Sequence, residues 1–145
     1  MKVTMLLADH AQAADGKLNI IGGGWNLAGP EAGPFAIAIL FEVPWDRANE
    51  EHHFLLELVD QDGDPVLVPT VDGEAPLTIE GQFEVGRPPG VKRGSSLAFP
   101  LAMNMGPQPL EPGGRYEWRL TVDGESHEDW RLVFGRRPAP ADFTS

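Results

Sequence analysis

Three observations predict an all-β chain folded as an antiparallel sandwich of about eight strands. Short apolar runs recur between turn signals, 14 prolines and 17 glycines punctuate 145 residues, and no long amphipathic helix is visible. A chain of this length buries a core without covalent staples, and it has no cysteine to make any. Disulfides, thiolate metal sites and thiol catalysis are thereby excluded. The expected organisation is one domain over residues 1–135 followed by a flexible tail, 136–145.

The first run, Val3–Ala8, and the second, Leu18–Ile21, flank Asp15-Gly16, a pair suited to a type I′ hairpin turn. Between them, 9–14 is rich in helix formers, so simple strand register is not assured. Gly22-Gly23-Gly24 then reads as a bend, with Trp25 as a core anchor beyond it. A phosphate loop would need a helix next, and Asn26-Leu27-Ala28-Gly29-Pro30 cannot begin one.

Phe35–Val43 is expected to be a central strand, with Phe35, Ile37, Ile39, Phe41 and Val43 on one face. Ala36, Ala38 and Leu40 make the other face apolar as well, to be covered by a loop or a second subunit. Pro44 ends the strand, and Trp45–Glu50 reads as a loose helical turn. Trp45 is the tryptophan expected at an interface.

His53–Val59 and Leu77–Val85 are strands, and Pro65–Pro69 between them is an edge because proline cannot donate to the ladder. Leu97–Met105 alternates again. Arg115–Val122 is the clearest strand, turned by Asp123-Gly124 into Trp130–Phe134. Trp118 and Trp130 are placed in the core.

Several motifs resemble a family of small bacterial proteins of unknown function. They are Ala8-Asp9, Ala11-Gln12, Gly16-Lys17-Leu18, Ile20 and Gly22-Gly23-Gly24-Trp25, then Glu84–Gly90 and Asp123–Trp130. The resemblance covers nearly the whole chain and implies a single β-rich domain, with no activity or site residues to carry over.

Charge narrows the choice of partners. The net charge is −11, and residues 46–86 hold eleven acids against Arg47 alone. Nucleic acid and anionic membranes call for a basic face, and neither is expected as a partner. No run is long enough to span a bilayer, and a cytoplasmic location is expected.

Candidate chemistry is sparse. Asp60, Asp62 and Asp64 gather three carboxylates around Gly63, a plausible calcium loop, but the glycine falls at the wrong position for an EF-hand. Asp and Gly also suit a hairpin for conformational reasons alone. His127 among four carboxylates reads as an exposed loop, and His52-His53 as ordinary strand-start surface. None of the four serines sits in GxSxG.

No enzyme activity and no cofactor are expected. The reading is a binding or scaffolding module that self-associates, with an unknown protein partner. The alternative is a sandwich binding calcium or a small ligand through its acidic loops.

Overall fold

The computed structural model describes residues 1–140. Eleven strands follow one another among the described residues. They are β1 (Lys2–Ala14), β2 (Lys17–Gly23), β3 (Leu27–Ala28), β4 (Phe35–Val43), β5 (His52–Asp60), β6 (Leu67–Thr70), β7 (Gly73–Pro76), β8 (Thr78–Phe83), β9 (Leu97–Met105), β10 (Arg115–Val122) and β11 (Glu125–Arg136). The helical content among the described residues is one 3₁₀ turn, Trp45–Arg47.

Two sheets face each other. One is ordered β2-β1-β4-β9 and the other β3-β11-β10-β5-β8, while β6 and β7 form a separate two-stranded flap. All main pairings are antiparallel except the short β3–β11 contact, where Leu27 lies opposite Gly135. The flap takes the Pro65–Pro69 segment out of both main sheets. Pro65 and Val66 alone stay beside β5, through a bridge to Val59 and a Val66 N–H bond to Leu58 O at 3.0 Å.

Alternation explains the core between the sheets. Ile37, Ile39, Phe41 and Val43 of β4 meet Leu56 and Leu58 of β5 and Trp118 and Leu120 of β10, all nearly or fully buried. Phe83 packs against both Phe41 and Phe99, cross-strand neighbours on β4 and β9, with centroid distances of 4.5 and 4.9 Å. Offset aromatic pairs of this kind add stability beyond the area they bury.

The Asp15-Gly16 turn has positive φ at both residues, 53° and 71°, as type I′ geometry requires. Segment 9–14 is strand, not helix, because its partner β2 continues the ladder from Ala14↔Lys17 back to Ala8↔Gly23. The same turn chemistry recurs at Asp123-Gly124, with φ of 52° and 79°. Strand β11 therefore begins at once, at Glu125 rather than Trp130. A register shift between Arg119 and Thr121 absorbs the extra residues His127–Asp129 on the facing strand.

The glycine run bends the first hairpin. Gly22, at φ 61°, lies beside the Asp9 side chain where a Cβ would collide with the carboxylate. Gly24, at φ 91°, returns its N–H to Leu7 O at 2.8 Å. Beyond this point the hairpin crosses the outer side of its own sheet. Ala8 and Ala11, three residues apart and so on opposite faces of a regular strand, are both buried in one cluster with Ala36 and Ala38. Asn104 of β9 fastens it there, accepting from Ala11 N at 3.1 Å and donating to Ala11 O at 2.7 Å.

This corrects one expectation. The second apolar face of β4 is covered by the chain's own hairpin, with Leu18 and Ile20 packed on the alanines, so Ala36 and Ala38 are not open to a second copy. Leu40 is half-buried.

The expected domain boundary also moves. Arg136 belongs to β11 and is buried, and Arg137 donates its N–H to Ala28 O at 2.9 Å. Residues 137–140 are without regular structure, and the remainder of the expected tail, 141–145, lies outside the described residues.

Candidate functional site

A cleft of about 370 Å³ lies where the two sheets open at one end. It is bounded by Leu7 and Asp9 of β1, the segment from Trp25 to Phe35, Gln108 and Leu110 after β9, and Phe134 and Arg136 at the end of β11. That volume lies at the lower end of the range for small-molecule sites. Trp25 forms one wall, set edge-on to Phe134 at 6.4 Å between centroids. It is half-buried rather than enclosed, and its indole N–H has no acceptor among the described residues.

Arg136 is the residue that sequence reasoning missed here. Only 7% of its surface is exposed, and its guanidinium donates to the carbonyls of Gly29, Pro30 and Leu110. These bonds tie the segment after β3 to the loop after β9 and so hold the cleft's two lips. No carboxylate lies within ion-pair distance of Arg136 among the described residues. A desolvated charge without a counter-charge is costly, and three carbonyl dipoles offset only part of that cost. The Arg137-Pro138-Ala139-Pro140 sequence directly after Arg136 hides the burial, since it makes Arg136 look like the start of a tail.

A second cluster sits at the start of β5. His52 is fully buried, which corrects its reading as strand-start surface. Its Nδ1 lies 2.8 Å from Asp123 Oδ2 and its Nε2 3.1 Å from Arg47 O. Arg47 Nη2 donates to the same carboxylate oxygen at 2.8 Å, and His53 N donates to Asp123 Oδ1 at 2.9 Å.

Burial of Asp123 acts to raise its pKa. The hydrogen bonds from His52 and His53 N, the charge of His52 and the bond from Arg47 outweigh that, leaving it lowered. Both ring nitrogens of His52 and both carboxylate oxygens of Asp123 are engaged, and no serine, threonine or tyrosine hydroxyl is among their partners. The cluster locks the β10–β11 turn onto the 3₁₀ turn and β5.

The structure brings the three aspartates together. Asp60, Asp62 and Asp64 present oxygens within 4.8 Å of one another. One oxygen of Asp60 accepts the backbone N–H of Asp62 at 2.9 Å and of Asp64 at 3.0 Å, so it already shapes the turn.

Trp45 is half-buried and capped. Arg87 stacks on its ring at 4.5 Å and donates to its carbonyl at 2.8 Å. Trp118 and Trp130 are in the core between the sheets, and His127 is exposed.

Fold and cleft together define a two-sheet β-sandwich with a mostly apolar end pocket built around one buried arginine. A model of a family of unknown function, DUF6941, matches residues 3–134, and the chain belongs to that family. Comparison with curated proteins gave no match. No helix among the described residues is long and apolar enough to cross a membrane.

Proposed function

We propose that this protein is a non-enzymatic binding module and that the end cleft is where it binds. The carrying observation is the buried Arg136 in an apolar cleft, a convergence of few polar groups with apolar walls that marks ligand sites in general. Support for the non-enzymatic part comes from the site's composition. No histidine lines the cleft, and the one buried histidine is tied up in structural bonds elsewhere.

The test is a fragment screen read by backbone NMR shifts. Hits should converge on Trp25, Leu27, Leu110 and Phe134. Scattered hits, or convergence on the shallow depression by His53 and Gly81, would contradict the assignment, and turnover of a bound fragment would contradict the non-enzymatic part.

A second reading, self-association, is favoured by the unpaired edges of β8 and β9. It no longer draws on the alanine face. A mass by light scattering that stays monomeric at micromolar concentration removes it.

A further inference from the structure

The geometry points to a small apolar carboxylate as the ligand of the end cleft, its anionic group held by Arg136 and its hydrocarbon lying against Trp25, Phe35 and Phe134. This rests on the cleft being the binding site.

Arg136 carries five N–H donors, of which three are spent on Gly29, Pro30 and Leu110 carbonyls. Two donors remain on a guanidinium whose charge has no anionic partner among the described residues. A carboxylate supplies both the acceptor oxygens and the missing charge, which a neutral ligand cannot. Trp25 stands in the same wall, so its indole signal reports on what enters the cleft. A free inorganic anion would leave the apolar walls wet, whereas a hydrocarbon attached to the carboxylate covers them.

Asp9 and Glu31 also line the cleft and oppose an anion, but both are exposed, so water screens them while Arg136 is desolvated. They disfavour dianions such as phosphate monoesters.

The experiment titrates the ¹⁵N-labelled chain with phenylacetate and, separately, with phenylacetamide, which has the same shape without the charge. Phenylacetate should move the Trp25 indole and Arg136 Nε signals saturably, and phenylacetamide should bind at least about tenfold more weakly. Arg136→Gln should erase the preference.

Because Arg136 also holds the lips together, Gly33→Trp is the second variant. Gly33 lines the cleft, a side chain there meets open space and its backbone needs no special conformation, so the fold survives a bulky residue at the cleft's lip. Phenylacetate binding should then be lost. Equal affinity for acid and amide would overturn the Arg136 anchor while leaving the cleft standing. Phenylacetate shifts unchanged in Gly33→Trp would remove the cleft itself, and no phenylacetate binding to the wild type would overturn the carboxylate assignment.

Discussion

The His52 ring and the Asp123 carboxylate meet 2.8 Å apart across 71 residues of sequence. Both ring nitrogens face oxygens, a carboxylate on one side and the Arg47 carbonyl on the other. Asp123 in turn collects bonds from His52, His53 N and Arg47. One turn residue thus joins three segments of the chain.

Removing that carboxylate's charge is expected to be costly even though the turn is kept. Asparagine tolerates the left-handed conformation of position 123, so Asp123→Asn isolates the electrostatic part. It should lower stability by about 2–3 kcal/mol, measured by urea unfolding, because a buried imidazole then faces a neutral partner. Asp64→Asn, on an exposed loop, should change it by less than about 0.5 kcal/mol.

Acid should expose the same interaction. The folded-state pKa of Asp123 is lowered, so its contribution is fully present above the ordinary carboxylate value of about 3.9 and is lost as pH falls through the lower folded value. Between roughly pH 5 and 2, wild type should lose more stability than Asp123→Asn, the two curves converging at the acid end. Parallel curves would contradict the assignment.

Asn104 is the fastener of the folded-over hairpin. Asn104→Ala removes both bonds to the Ala11 backbone and should cost about 1–2 kcal/mol. Amide exchange should quicken first at Ala11–Ala14 and Lys17–Ile20, with the β4–β9 ladder little changed.

Gly81 tests the aromatic packing. A Cβ there would lie 2.8 Å from the ring of Phe54, which is itself packed against Phe41 and Phe83. Gly81→Ala should destabilise by about 1–3 kcal/mol through overpacking, whereas Gly33→Ala should be near neutral. Thermal unfolding of the two variants makes the comparison.

What the sequence made legible was local. Alternation along 35–43 and 115–122 places those strands and their inward residues without reference to the rest of the chain, and Asp-Gly pairs at 15–16 and 123–124 specify their turns. The helix formers of 9–14 misled because pairing with β2 overrides propensity. The alanines of β4 were readable as a second buried face, but their cover depended on a hairpin crossing its own sheet.

The contacts of His52 with Asp123 and of Arg136 were not legible. Their partners lie at positions 123, 29, 30 and 110, brought near only by the tertiary fold. The one sequence cue for Arg136 is that it follows the alternation of β11 directly: Phe134 points inward, and so must the residue two places on.

The most direct test is native mass spectrometry of the untagged protein and of Gly33→Trp, both purified gently from the protein's own host. The binding-module account predicts a small anionic mass retained by the wild type and missing from the variant. A bare wild-type chain, or the same added mass on both proteins, would contradict it.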